Sequence, residues 1–215
     1  MHKSIINLNT IENSLKSKIK KLPTIIAVTK TFPMSEIIPL INHGHIDFGE
    51  NKVQETLEKW SSIKNDFHQI KLHMIGKLQT NKVKYAVNLF DYIHSLDNLR
   101  LAEKIASEQI KQKKQLKIFI QINIGEESQK SGISIDRIEN FYEKCTKDLG
   151  LQIVGLMCLP PNNEDSKDYF FKMRDLSKKM NIKNLSMGMS NDYLDAAING
   201  STHLRIGSKI FGKRN

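Results

Sequence analysis

Lys30 closes the apolar run Ile25-Ile26-Ala27-Val28-Thr29 and is followed by Thr31-Phe32-Pro33. Burying an unpaired ammonium at the end of a β-branched strand costs several kcal/mol. A lysine placed there suits chemistry that wants an amine of lowered pKa, and the commonest such chemistry is a Schiff base to a carbonyl. Taken alone, Lys30 reads first as the point where a strand emerges into solvent. A second group of residues, near the C-terminus, suits an anion. Gly188, Ser190, Gly207 and Ser208 are small residues that let backbone N–H groups approach a phosphate, and the two serines add hydroxyl donors. Either turn by itself reads first as a tight turn with an N-cap.

Three further groups carry less. His43 and His45 flank Gly44 with no third ligand in the pattern, so they read as a helix end and a turn rather than a metal pair. Cys158 lies in an apolar run and lacks the base and activated thiolate that a nucleophile needs. Asp47 and Glu50 have carboxylates at a spacing open to paired acid–base work, but no second signal supports that use.

The chain has 215 residues, enough for one sizeable core, and a net charge of +10. The charge raises nucleic acid as a partner. The basic residues are spread out, however, as in Lys16-Ser17-Lys18-Ile19-Lys20-Lys21 and Lys111-Gln112-Lys113-Lys114, which read as polar helix faces or helix ends. No aromatic side chains are interleaved to stack bases, and Lys outweighs the Arg that base readout favours. Specific nucleic-acid binding is therefore not expected. No stretch reaches the roughly 18 uninterrupted apolar residues of a membrane span, and Met1 to Asn13 has no secretory h-region. Cys145 and Cys158 read as reduced residues of a cytoplasmic protein.

The elements that must position the chemistry alternate. Strands are expected at Thr24–Thr29, Ile46–Gly49, Leu72–Ile75, Tyr92–Ser95, Lys117–Ile122, Gln152–Leu159, Asn184–Met187 and His203–Ile206. Runs such as Ile118-Phe119-Ile120-Gln121-Ile122 are nearly continuous hydrophobes, as in parallel strands covered by helices. Between them, Leu99 to Ala106, Ser134 to Phe141, Ser166 to Met180 and Asp192 to Ile198 have helical spacing, and Ile5 to Lys20 adds a helix before the first strand. Ser134 is a capping candidate for the helix that repeats Ile135, Ile138 and Phe141.

Strict βα alternation with eight strands predicts a single (β/α)₈ TIM barrel over residues 1–215 with an extra N-terminal helix, an α/β fold. A doubly wound open sheet also fits the alternation but requires no particular strand count. In a barrel, chemistry collects at the carboxyl ends of the strands, and the loops after strands 7 and 8 often bind phosphate. Those are the loops that hold Gly188-Met189-Ser190 and Gly207-Ser208, facing an amine on strand 1. An aldehyde partner for Lys30 and a phosphate partner for the two turns together describe pyridoxal 5′-phosphate (PLP).

The sequence resembles the pyridoxal phosphate homeostasis proteins, whose barrel is similar to the N-terminal domain of alanine racemase, a fold type III PLP protein. The segments that carry the resemblance run from strand 1 to the C-terminus in the family's order. They are Ala27-Val28-Thr29-Lys30-Thr31, Phe48-Gly49-Glu50-Asn51-Lys52-Val53-Gln54-Glu55, Met74-Ile75-Gly76-Lys77-Leu78-Gln79-Thr80-Asn81-Lys82, Lys130-Ser131-Gly132, Gly155-Leu156-Met157, Leu185-Ser186-Met187-Gly188-Met189-Ser190 and Arg205-Ile206-Gly207-Ser208-Lys209-Ile210-Phe211-Gly212. Lys52 departs from the aromatic residue common at its position, away from the expected cofactor contacts.

The resemblance implies that Lys30 forms the internal aldimine with PLP, and that Ser190, Gly207 and Ser208 hold the phosphate with Met189 contributing backbone. It places Arg205 against the pyridine nitrogen and Asn51 near the cofactor. A guanidinium there disfavours protonation of the ring and weakens it as an electron sink. Racemases with this barrel carry an additional β-domain, whereas this chain ends at Asn215 just after the eighth βα unit. The expectation is a monomeric, cytoplasmic carrier that buffers PLP or delivers it to PLP-dependent apo-enzymes without robust turnover. The alternative is a minimal PLP-dependent amino-acid racemase.

Overall fold

The computed structural model describes residues 1–127, 131–161 and 164–212. Lys130 of the Lys130-Ser131-Gly132 segment lies outside the described residues. Eight parallel strands close on themselves in chain order: β1 Thr24–Val28, β2 Asp47–Glu50, β3 Lys71–Met74, β4 Tyr92–Leu96, β5 Lys117–Ile122, β6 Ile153–Cys158, β7 Asn184–Ser186 and β8 His203–Ile206. β1 pairs with both β2 and β8, and Ile26 lies opposite Arg205 in the second pairing. The barrel predicted from the alternation is therefore present, and the open sheet is not.

The helices are α1 Lys3–Lys16, α2 Met34–Asn42, α3 Val53–Asp66, α4 Val83–Leu89, α5 Leu99–Gln112, α6 Ile138–Glu143, α7 Ser166–Lys179, α8 Tyr193–Ile198 and the single turn α9 Ser208–Phe211. Each buries one stripe. In α1 this is Leu8, Ile11 and Leu15, and Asn7 Nδ2 donates to the Ile210 carbonyl at 2.9 Å, fixing α1 to α9. In α5 the Asn98 side chain caps the Leu101 N–H at 2.9 Å.

Strand residues alternate between the helix layer and the barrel interior. On β2, Phe48 packs against Trp60 of α3 with ring centroids 5.0 Å apart, whereas Asp47 faces inward to His73. The interior is aromatic and polar: His73 stacks on Tyr92 and His94 on Phe119, each at 4.3 Å, and Phe119 meets His203 edge-on at 5.0 Å.

Several boundaries differ from the sequence expectation. β1 stops at Val28 because the Phe32 N–H turns back to the Thr29 carbonyl at 3.1 Å and Thr31 has φ 68°. β2 and β3 are shifted by one residue, to Asp47–Glu50 and Lys71–Met74, while β6 and β7 are shorter than expected. Helix α1 ends at Lys16, where the N–H groups of Lys18 and Ile19 both fold onto the Leu15 carbonyl. The segment after Ser134 is not one α-helix: it opens as a 3₁₀ turn at Ile135–Arg137, runs through α6 and closes as a π turn at Lys144–Asp148. Ser134 is the N-cap residue but makes no side-chain capping bond. No helix among the described residues is long and apolar enough to cross a membrane.

Candidate functional site

Lys30 follows the end of β1 by two residues, half-buried at the carboxyl-end mouth of the barrel. Its neighbours are clamped on both sides by residues from β2 and α3. The Thr29 hydroxyl donates to Glu50 Oε1 at 2.7 Å, and Lys59 Nζ donates to the Thr29 carbonyl at 2.9 Å. The Thr31 N–H donates to Glu55 Oε1 at 2.7 Å. Lys59 ties the two carboxylates together, at 2.9 Å from Glu50 and 3.3 Å from Glu55, and Trp60 Nε1 donates to Glu50 Oε1 at 2.9 Å. Partial burial would raise the Glu55 carboxyl, but the Thr31 N–H and the Lys59 charge outweigh it and hold the group below its usual value. Glu50 is fully buried.

Glu50 is thus a structural anchor, and the pairing with Asp47 weighed from the sequence is absent. Asp47 opens β2 and faces the barrel interior, whereas Glu50 closes it and faces α3.

The two small-residue turns lie side by side. Gly207 sits beside β1, where a Cβ would stand 3.3 Å from the Val28 carbonyl oxygen and 3.4 Å from its Cβ. The Lys209 N–H donates to Ser190 Oγ at 3.3 Å, joining the turn after β7 to the first turn of α9. Gly188 has φ +91°, and a Cβ there would come within 2.4 Å of Ala196 Cβ. Only glycine lets the backbone bend there against α8. Ser208 is exposed and Ser190 half-buried. The Met189 N–H is already engaged, donating to Asp192 Oδ1 at 2.6 Å. An anion that used this amide would have to displace the Asp192 carboxylate.

Arg205 is 4% exposed and lies between the ends of β6 and β7. Nη1 donates to Ser186 Oγ at 2.7 Å and Nη2 to the Cys158 carbonyl at 2.9 Å. Burial lowers its pKa, yet an arginine stays cationic across the physiological range. These bonds use two of its five donors. Asn51 follows β2 at the same mouth and is half-buried.

The remaining candidates do not join the site. Both cysteines are free and buried, with burial pushing each thiol up to about 12, which suits inert core residues. His43 is the C-cap of α2, and His45 Nε2 bonds to the Asp47 carbonyl at 3.0 Å. No cluster fit to hold a metal exists among the described residues.

Sequence reasoning passed over Glu55 and Lys59, together with His73, His94 and Ser186. The last three sit inside the barrel, all fully buried. Their signal was a polar residue at an inward position of an apolar strand, as in Leu72-His73-Met74 and Ile93-His94-Ser95.

The residues fit PLP by their donor set: an amine, two glycine-serine turns held together by a hydrogen bond, and a buried guanidinium. Comparison with known proteins identifies the family. The family model described as "Alanine racemase, N-terminal domain" matches residues 6–215. A pyridoxal phosphate homeostasis protein of Aquifex aeolicus is 36% identical over 88% of this chain and 86% of the relative. One of Homo sapiens is 38% identical over 90% of this chain and 77% of the relative. The structure of PipY of Synechococcus elongatus with PLP bound superposes with a TM-score of 0.83 at 30% identity, over 94% of this chain and 98% of that one. With the barrel closed and these residues gathered at its mouth, the chain belongs to the pyridoxal phosphate homeostasis proteins, within the alanine racemase N-terminal domain family.

Proposed function

We propose that residues 1–215 form one PLP-binding unit that holds the cofactor covalently through Lys30, as an aldimine, and buffers or delivers it without robust turnover. PLP supplies an electrophilic aldehyde and a phosphate dianion. Lys30 offers the amine, its position set by the Glu50–Lys59–Glu55 clamp on Thr29 and Thr31. Ser190, Gly207 and Ser208 offer the anion site, Met189 its backbone once Asp192 gives way, and Asn51 a polar neighbour.

The observation that carries the carrier reading is Arg205, fixed between Ser186 and the Cys158 carbonyl on the strand beside Lys30's own. A permanent cation facing the pyridine nitrogen disfavours its protonation, so the ring withdraws electrons from a substrate carbon less well. The names of the relatives support the same role. On this reading the protein acts as a cytoplasmic monomer, and its recipients are PLP-dependent apo-enzymes.

The test is borohydride reduction of the PLP-loaded protein followed by peptide mass spectrometry. The phosphopyridoxyl group is expected on Lys30 and should be lost from that peptide in Lys30→Ala. Modification confined to surface lysines would overturn the assignment. In the same preparation, α-carbon deuterium exchange of alanine or serine should stay far below the enzyme median of about 10 s⁻¹. Exchange near that rate would favour the racemase.

A further inference from the structure

Behind Arg205 an unbroken line of hydrogen bonds crosses the barrel interior. Arg205 Nη1 donates to Ser186 Oγ at 2.7 Å, and Ser186 Oγ lies 2.8 Å from His94 Nδ1. His94 Nε2 lies 2.9 Å from His73 Nδ1, and His73 Nε2 lies 3.0 Å from Asp47 Oδ1. The line uses β8, β7, β4, β3 and β2 in turn. It starts at the carboxyl-end mouth and finishes at the first residue of β2, on the opposite face. Ser186, His94 and His73 are fully buried. Asp47 reaches an open cavity of about 210 Å³ that it lines with Glu12, Leu15 and His45.

The polarity of this line follows from its ends. A guanidinium can only donate and an ionised carboxylate can only accept. Burial keeps both histidines neutral, more strongly at His94, where His73, His203 and Arg205 add to it. Burial alone would raise the Asp47 carboxyl, but the hydrogen bond from His73 and the nearby Lys71 hold it below its usual value. His73 Nε2–H must then donate to Asp47, leaving Nδ1 bare to accept from His94 Nε2–H. His94 Nδ1 is left bare in turn and accepts the Ser186 O–H, whose oxygen accepts from Arg205. Each bond has one hydrogen and every hydrogen has one acceptor.

We infer that Asp47, His73, His94 and Ser186 are positioning residues for Arg205, a one-directional relay by which a carboxylate on the far face of the barrel fixes the guanidinium presented to the ligand. The relay sets the orientation of a guanidinium that is buried between the ends of β6 and β7. Its consequence for PLP rests on the proposed function; the relay itself does not.

Nitrogen-15 NMR of protein labelled at histidine and arginine, without PLP, reads the relay directly. His73 and His94 are expected as neutral Nε2–H tautomers at pH 7. In Asp47→Ala, at a partly exposed position, the His94 tautomer and the Arg205 side-chain resonances should both move, although neither residue touches Asp47. Asp47→Glu, which restores a carboxylate, should return them. In the PLP-loaded protein, Asp47→Ala should weaken PLP binding about three- to tenfold and shift the visible absorption band, and Asp47→Glu should reverse both. A proton on Nδ1 of His94, or Arg205 resonances indifferent to Asp47→Ala, would overturn the relay. PLP that never reaches Lys30 would overturn the proposed function and leave the tautomers to decide the relay.

Discussion

Ser190 and Ser208 are not equivalent donors. Ser190 Oγ already accepts the Lys209 N–H, so it holds the two turns together, whereas Ser208 is exposed at the start of α9. Most of the anion affinity should therefore come from the backbone that glycine lets approach. Charge-assisted hydrogen bonds contribute roughly 1.5–3 kcal/mol each, and a few of them exceed two factors of ten at about 1.4 kcal/mol per factor. PLP is expected to bind at least about a hundredfold more tightly than pyridoxal, read by titrating absorbance near the aldimine band. Replacing both serines with alanine should lose less than removing the phosphate. Equal affinity for PLP and pyridoxal would show that the two turns are only turns.

At the scale of elements, the site depends on how β1, β2 and α3 are tied together. Glu50 receives three hydrogen bonds on Oε1, from Thr29, Lys59 and Trp60. Glu50→Ala would take the acceptor from the buried Trp60 N–H and leave the Lys59 ammonium with Glu55 and the Thr29 carbonyl. Leaving a buried donor unsatisfied costs about 1–3 kcal/mol. Denaturant unfolding should show that loss, and the surviving folded protein should react with PLP more slowly because Thr29 no longer holds Lys30 in place. A change under 1 kcal/mol would mean the pocket rehydrates and the clamp is dispensable.

Gly188 makes the same point between β7 and α8. Gly188→Ala adds a methyl 2.4 Å from Ala196 Cβ at a φ of +91°. Overpacking and left-handed backbone strain together should cost about 2–4 kcal/mol. The Arg205 N–H donates to the Gly188 carbonyl at 3.0 Å, so PLP binding should weaken with stability.

The whole molecule carries a pH signature from the histidines inside its barrel. Burial lowers the pKa of His73, His94 and His203, the last to about 4, with His73 and the Arg205 charge also disfavouring the His203 imidazolium. In the unfolded chain these groups titrate near 6.5. Above that pH both states are neutral and stability is complete. As pH falls below it, the unfolded chain takes up protons that the native barrel refuses, so stability declines down to the folded value. At about 1.4 kcal/mol per pKa unit, His203 alone contributes about 3 kcal/mol to that decline. Urea midpoints should fall steadily from pH 6.5 to pH 4. Double replacement of His73 and His94 by glutamine should flatten the slope. A midpoint independent of pH over that range would mean the histidines are protonated in place.

The alternation of apolar runs and amphipathic segments was enough to specify eight strands and the barrel, because burial between a sheet and its helices leaves a periodicity in the residues themselves. Lys30 and the two glycine-serine turns stood out as candidates because each breaks its local pattern, an ammonium closing an apolar run or glycines at successive strand ends, whereas Arg205 took its expected place from the family resemblance. Strand and helix ends shifted by a few residues, since they depend on turn bonds such as Phe32 to Thr29 that no period records. Glu50, Glu55 and Lys59 were visible as residues but not as a clamp, and Asp47, His73, His94 and Ser186 were not visible as a line at all. These four are spread over 140 positions, from 47 to 186, and one of the links joins residues 92 apart. Local sequence determines which face of its strand each occupies. Only closure of the barrel brings the inward faces within hydrogen-bond distance, where desolvation keeps the imidazoles neutral and gives the chain of donors its direction.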